Sequence, residues 1–275
     1  MQKRILVISD ISCVGKCSLT AALPILSACG HECVILPTAV LSTHTAADFG
    51  AYTCRDLTDE LSPIIQHWLR LGLHFDAIFI GYLTSAAQAQ LVAAQVAPLR
   101  SADTLWIVDP ILGDNGQLYR GLSTENIDAI KALCAEADVI TPNLTEGALL
   151  AGLDPKTVEP ETLLCALASL GAARCVLTGA PFPPAHIGIH CRDYTDGSDS
   201  SHRDPRIQEM LHGTGDVFAS AFVGLYLRGI PFHDAAARAA TFTAACIRQT
   251  VEAPDRRWYG IRFEPELKTL AESVE

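Results

Sequence analysis

Ile5-Leu6-Val7-Ile8, followed by Ser9, Asp10 and Ser12, sets the reading of the whole chain. Four consecutive apolar residues leave no polar face, so the run is a strand buried on both sides, closed by turn formers around Asp10 and Ser12. The same unit recurs outward from it. Leu19 to Cys29 reads as a helix that Gly30 caps, and Cys33-Val34-Ile35-Leu36 as the next strand. Leu57, Leu61, Ile64, Ile65, Trp68 and Leu69 recur at helical spacing. Ala77 to Ile80, Leu105 to Val108, Val139-Ile140 and Cys175-Val176-Leu177 are further strands, with helical stretches at about 84–97, 123–135, 160–170 and 213–228. Continuous strands joined by helices predict a mostly parallel sheet covered on both faces, in one α/β domain over residues 1–275. Val40 to Cys54 lacks helical periodicity and reads as a small β lid over the sheet edge. Arg192 to Pro205 is the most polar stretch and reads as a loop, with Ile187 to Cys191 and Ile207 as short strands beside it. The tail from Phe263 onward reads as a solvated last helix.

The composition narrows the function. In 275 residues, 49% are hydrophobic and 19% charged, which excludes a disordered chain. A net charge of −11 argues against a binder of nucleic-acid backbones, but leaves small anions open, because a helix N-terminus or a metal ion holds them without net basicity. The uncharged run from Asp76 to Arg100 is long enough for a membrane span. It contains Gly81, Thr84, Ser85, Gln88, Gln90, Gln95 and Pro98, so it reads instead as a strand end before a soluble helix. Met1-Gln2-Lys3-Arg4 precedes only a short apolar run, too short for a signal peptide. The expectation is a soluble cytoplasmic protein with neither nucleic acid nor membrane as partner. Among ten cysteines the closest spacings are Cys13/Cys17 and Cys29/Cys33, with no pair two residues apart. Several, such as Cys134, Cys165, Cys175 and Cys246, sit in apolar stretches. Reduced, mostly buried thiols are expected rather than a zinc site. Cys13 is the thiol expected near a ligand.

Three segments carry candidate chemistry. Gly213-Thr214-Gly215-Asp216 opens the apolar run Val217 to Leu227. Glycines let the backbone approach a ligand, and the following helix points free N–H groups and its positive dipole end at it. A plain glycine turn with Asp216 as helix cap is the competing reading. Asp109-Pro110-Ile111-Leu112-Gly113-Asp114 follows a strand, where open α/β sheets bind ligands and where carboxylates offer Mg²⁺ hard oxygens. An ordinary strand-to-loop exit, with Asp114-Asn115-Gly116 as a turn, competes. Thr141-Pro142-Asn143-Leu144-Thr145-Glu146 follows another strand, and Asn143 with Glu146 fits a capping box as well as a metal or phosphate role. With no Gly-Lys-Ser/Thr run after a glycine loop, these clusters point to phosphoryl transfer outside the P-loop class.

In their order and separation the three segments resemble the ribokinase-type superfamily, and most closely its pyridoxal (pyridoxine/pyridoxamine) kinases. Ser9 ends the first strand, Ser42-Thr43-His44-Thr45 is similar to that family's Ser-Asn-His-Thr stretch, and Gly81-Tyr82-Leu83 to its Gly-Tyr-Leu segment. The resemblance spans roughly residues 4 to 250. It implies a ribokinase-like three-layer α/β/α sandwich with a small β lid. It also implies ATP-dependent phosphorylation of the 5′-hydroxymethyl group of vitamin B6. Asp216 would be the general base, and the backbone of Gly213, Thr214 and Gly215 the anion hole. Asp109 and Glu146, helped by Asp114 and Asn143, would organise Mg²⁺ and the ATP phosphates, with K⁺ as a further candidate cation. Ser9, His44, Thr45 and Tyr82 would surround the pyridine ring. Tyr119, Thr141, Thr178 and Gly179 would lie along the nucleotide. A homodimer is expected on the same ground.

Thr43 stands where the family has asparagine, and the loop from Ser9 to Gly15 is short, so the preferred vitamer stays open. Three rivals stand beside this reading. A hydroxymethylpyrimidine kinase of thiamine synthesis shares fold and base but carries Gly-Gly-Ala-Gly where this chain has Ser12-Cys13-Val14-Gly15. A sugar kinase of the superfamily would show paired glycines near the first strand. A non-catalytic vitamin B6 sensor or buffer has no need of Asp216. A dinucleotide-binding enzyme is excluded, because no Gly-x-Gly-x-x-Gly follows the first strand.

Overall fold

The computed structural model describes residues 2–209 and 211–274. Among the described residues eleven strands and nine α-helices follow in order: β1 (Arg4–Ser12), α1 (Leu19–Ala28), β2 (Glu32–Leu41), β3 (Cys54–Asp56), α2 (Thr58–Arg70), β4 (Ala77–Ile80), α3 (Ala86–Val96), β5 (Leu105–Val108), β6 (Gly113–Asp114), β7 (Gln117–Leu118), α4 (Thr124–Ala135), β8 (Val139–Ile140), α5 (Leu144–Ala151), α6 (Pro160–Leu167), β9 (Arg174–Phe182), β10 (His186–Asp193), β11 (Asp199–Pro205), α7 (Thr214–Leu227), α8 (Phe232–Glu252) and α9 (Leu267–Glu272). Nine of the strands form one sheet, ordered β11-β10-β9-β8-β5-β4-β1-β2-β3. Strands β2, β1, β4, β5, β8 and β9 run parallel; β3 pairs antiparallel with β2 at one edge, and at the other β10 pairs antiparallel with both β9 and β11.

The uninterrupted apolar strands are explained by two separate cores. In β1, Ile5 and Val7 join one core with residues of α1, α7 and α8, while Leu6 and Ile8 join the other with α2, α3, α4 and α6. The same division holds in β4, where Ala77 and Phe79 face one way and Ile78 and Ile80 the other. All of Ile5 to Ile8 lie at 1% exposure or less, and each such burial is worth about 1.5–3 kcal/mol. This is the expected three-layer α/β/α sandwich. Helix α7 is buried along Val217 to Leu225, because it packs between α1 and α8 as well as against the sheet.

Several boundaries differ from the sequence reading. Strand β2 runs on to Leu41, and Val40 to Cys54 is not wholly a lid: it contains a one-turn 3-10 helix at Ala47–Phe49 before β3 returns antiparallel to β2. The polar stretch after Arg192 is mostly strand. Strands β10 and β11 pair antiparallel from His186 to Arg192, opposite Pro205 to Asp199, and Ile207 lies outside them. Helix α8 escaped the sequence reading because its buried stripe is built of small residues, Ala235, Ala236 and Ala239, between Phe232 and Phe242. Cys165 is exposed rather than buried, unlike Cys134, Cys175 and Cys246. All ten cysteines are free thiols. Among the described residues no helix is long and apolar enough to cross a membrane.

Candidate active site

The parallel strands β1, β4, β5 and β8 end on one rim, where an open α/β sheet presents its ligand crevice. Helix α7 brings its N-terminus to the same rim. Ser9 does not end the first strand, since β1 runs on to Ser12 past a register shift after Ser9; with Gly81 after β4, Asp109 after β5 and Asp216 of α7 it lines one cavity, together with Ser18 and Ser220. Residues more than two hundred positions apart therefore share a wall.

Gly213 makes the turn into α7 with φ +84°, and a Cβ there would come within 2.0 Å of the Lys16 carbonyl oxygen. Only glycine fits so close a backbone crossing in a left-handed conformation. The turn leaves the first N–H groups of α7 free of helical partners, and Thr214, Gly215 and Asp216 occupy that first turn. Asp216 is half-buried, and its carboxyl is pushed up to about 7, first by desolvation. The Ser18 backbone N–H opposes the rise, and the Asp10 carboxylate adds to it. A carboxyl that titrates near neutrality suits a general base.

Asp109 and Glu146 form the second charged element. Asp109 is 8% exposed and accepts a 2.8 Å hydrogen bond from the Thr141 hydroxyl. Burial raises its pKa, and the Asp216 charge adds to the rise. Glu146, 4% exposed, accepts from the backbone N–H of Leu112 at 3.2 Å and of Asn143 at 2.9 Å. The Asn143 side chain accepts from the Glu146 N–H and donates to the Gly113 carbonyl at 2.9 Å. The capping box read from sequence is present, and it also ties α5 to the loop after β5. Burial and the Asp109 charge raise the Glu146 pKa as well.

Asp109, Asp216 and Glu146 carry no ion pair to a cationic side chain among the described residues, so neighbouring negative charges stand uncompensated by protein. Such an arrangement calls for a bound cation. No three His, Cys, Asp or Glu side chains group as a metal-holding set among the described residues. Two buried carboxylates, Asp109 and Glu146, are nonetheless hard oxygen donors of the kind Mg²⁺ accepts when phosphate oxygens and waters complete its shell. The residues fit the ion.

Around Ser9 the expected substrate residues divide. The Ser9 hydroxyl accepts from the Tyr82 N–H at 3.1 Å, which leaves its own proton free to donate. The Tyr82 phenol is half-buried, and burial, then the Asp10 charge, push it up to about 12. His44 is buried against Gly15 and His212, and both its ring nitrogens are engaged. Nε2 pairs with the Tyr259 carbonyl at 2.6 Å, and Nδ1 accepts from the Ala46 N–H at 3.2 Å. His44 thus offers a ligand its ring rather than a hydrogen bond. The Thr43 hydroxyl is buried with no partner, Thr45 is exposed, and Cys13 is exposed beside the strand end of β2.

Of the expected nucleotide residues, Thr141 spends its hydroxyl on Asp109. Asp114 and Tyr119 lie exposed at the short β6–β7 hairpin. The Thr178 N–H is held by the Pro142 carbonyl at 2.9 Å, next to the open, exposed Gly179.

Three residues of the site were not singled out from sequence. Asp10 is 3% exposed, accepts from the Ser12 hydroxyl at 2.8 Å, and is raised by burial. Ser18 lines the cavity with φ +52°, a conformation that a non-glycine residue rarely adopts. Ser220 lies one helical turn beyond Asp216, and its buried hydroxyl has no partner. The signal for Ser220 was available, since residues four apart share a helix face.

With this geometry in view, the comparisons with known proteins become specific. A family model described as phosphomethylpyrimidine kinase matches residues 21–257. The solved pyridoxal kinase from Lactobacillus plantarum superposes with a TM-score of 0.90 at 35% identity, covering 99% of this chain and 98% of that one. A Bacteroides thetaiotaomicron protein, provisionally named a phosphomethylpyrimidine kinase and crystallised with pyridoxal, superposes with a TM-score of 0.92 at 34% identity, covering 98% and 96%. The pyridoxine/pyridoxal/pyridoxamine kinase of Bordetella pertussis is 28% identical over 252 residues, 87% of this chain and 86% of that protein. The chain belongs to the phosphomethylpyrimidine kinase family of ribokinase-like kinases, in which the pyridoxal kinases are also found.

Proposed function

We propose that the protein transfers the γ-phosphoryl group of ATP to the 5′-hydroxymethyl group of a vitamin B6 vitamer. The observation that carries this reading is the convergence of Asp216, Asp109 and Ser9 on one cavity at the N-terminus of α7. Asp216 takes the proton of the 5′-hydroxyl as that oxygen attacks. The free N–H groups of Thr214 and Gly215 face the charge that grows on the transferring group. Positioning and charge stabilisation carry most of such a transfer, since it asks little covalent chemistry of the protein. Asp109 and Glu146 would hold Mg²⁺, which supplies charge neutralisation between the phosphates; Thr141 and Asn143 keep these two carboxylates oriented. Ser9 donates to the pyridine side, where Tyr82, His44 and Thr45 border the ring. Asp114, Tyr119, Thr178 and Gly179 border the nucleotide.

The family description favours a second acceptor, the hydroxymethylpyrimidine, whose hydroxyl would meet the same base. Assembly as a homodimer through the exposed edge strand β3, and action in the cytoplasm, belong to the same proposal. The test is a coupled ADP-release assay with Mg-ATP and pyridoxal, pyridoxine, pyridoxamine or hydroxymethylpyrimidine, run in KCl and in NaCl. Turnover with a B6 vitamer supports the proposal. Turnover with the pyrimidine alone selects the second reading, and silence with all four defeats both.

A further inference from the structure

A second cavity, of about 270 Å³, lies outside the site described above. Four cationic side chains, Lys16, Arg256, Arg257 and Arg262, line it with two carboxylates, Asp255 and Glu264. In a chain of net charge −11 this is a local excess of 4 − 2 = +2. The carboxylates hold their own partners: Glu264 takes Lys16 at 2.6 Å and Asp255 takes Arg262 at 3.0 Å. Arg256 pairs outward with Glu209 at 3.2 Å, whereas Arg257 has no carboxylate partner among the described residues. The one lining hydroxyl is already used, since Thr250 donates to the Cys246 carbonyl and accepts from the Arg262 N–H at 2.7 Å. Arg257 and the guanidinium nitrogens of Arg256 and Arg262 outside these pairs remain as cationic donors of the lining, and guanidinium forks match a tetrahedral oxyanion with two parallel hydrogen bonds.

We propose that this cavity binds a phosphate dianion, free or carried on a small phosphorylated molecule, at a site separate from the glycine turn. Its floor is shared with that turn. Lys16 lines the cavity with its side chain while its carbonyl oxygen abuts Gly213, and Ile261 donates to the His212 carbonyl at 3.2 Å. A dianion drawn against Lys16 and Arg262 therefore bears on the backbone that shapes the first turn of α7.

Isothermal titration of the full chain with inorganic phosphate tests this, without nucleotide and then with a saturating non-hydrolysable ATP analogue and Mg²⁺. The expected result is one phosphate per chain that persists in the presence of the analogue. Its affinity falls about ten- to hundredfold in Arg257→Gln and in Arg262→Gln, the range for losing a hydrogen bond to a charged group. Binding weakens further as NaCl is raised. Both variants keep the melting temperature of the parent within a few degrees, and Arg257→Gln keeps its kcat. Competition by pyridoxal 5′-phosphate at the same stoichiometry would identify a phosphorylated product as the source, and its failure to compete would identify free phosphate. Binding that vanishes once the analogue fills the nucleotide site, or that neither arginine substitution weakens, overturns the proposal. That outcome is independent of whether the chain phosphorylates vitamin B6.

Discussion

Replacing Asp216 with asparagine should inactivate the protein and stabilise it at the same time. Its carboxyl titrates at about 7 in the folded chain, against 3.8 for the ordinary group, because burial and neighbouring negative charge disfavour its ionised form. A raised carboxylate pKa means that folding stability is fully present below the ordinary value and is lost as pH rises through the folded one. Three pKa units correspond to ~4 kcal/mol at pH 8, and the half-buried position of Asp216 brings this nearer 2–3 kcal/mol. Asparagine has the same shape and never ionises, so Asp216→Asn should raise Tm at pH 8 by roughly five to ten degrees, at about 2–4 degrees per kcal/mol. The gain should shrink by pH 5, where the parent carboxyl is already protonated. Over the same substitution kcat should fall about 10²- to 10⁴-fold, the usual contribution of a general base. Calorimetry at the two pH values and a steady-state kinase assay measure both effects. A variant that keeps parental kcat, or one whose Tm at pH 8 is lowered, refutes the reasoning.

Three further outcomes follow from the geometry. Gly213→Ala forces a Cβ to within 2.0 Å of the Lys16 carbonyl in a left-handed backbone, so kcat should fall at least a hundredfold with a lowered Tm; an active, stable variant would contradict the close crossing. Thr141→Val removes the 2.8 Å hydrogen bond to Asp109 without changing shape, and the Mg²⁺ concentration for half-maximal rate should rise about tenfold, read from a Mg²⁺ titration at fixed ATP. In the parent, kcat/KM should fall about tenfold per pH unit below 7 as the free protein's Asp216 takes up its proton, and a profile flat down to pH 5.5 would remove Asp216 as the base.

The sequence was most legible where one residue type answers to one physical demand. Ile5 to Ile8 could only be a strand with a core on each face, and the sheet that follows from it carries Ser9, Asp109 and Thr141 to one rim. Asn143 and Glu146 were readable as a capping box from their spacing alone, and the box is there. Helix α8 was not legible, because alanine packs a helix closely without the large apolar side chains that mark a periodic face. Strand β11 was hidden for the opposite reason. Asp199 to Pro205 has one pairing partner and little core to cover, so polar residues suffice. At the site, Ser18 and Asp10 gain their importance from neighbours that arrive from α7, some two hundred residues away, and no local pattern announces such a meeting. His44 shows the converse. Its motif drew attention to the right loop, while Tyr259, from near the other end of the chain, takes its ring nitrogen.

Proton-coupled phosphorus NMR of the product formed from pyridoxal and Mg-ATP addresses most directly where the phosphoryl group goes. Pyridoxal has a single hydroxymethyl arm. A new phosphoester resonance split into a triplet by two methylene protons, growing with ADP and missing from the Asp216→Asn sample, is the predicted spectrum. Inorganic phosphate as the only new signal, or an unsplit ester on the ring hydroxyl, would contradict it.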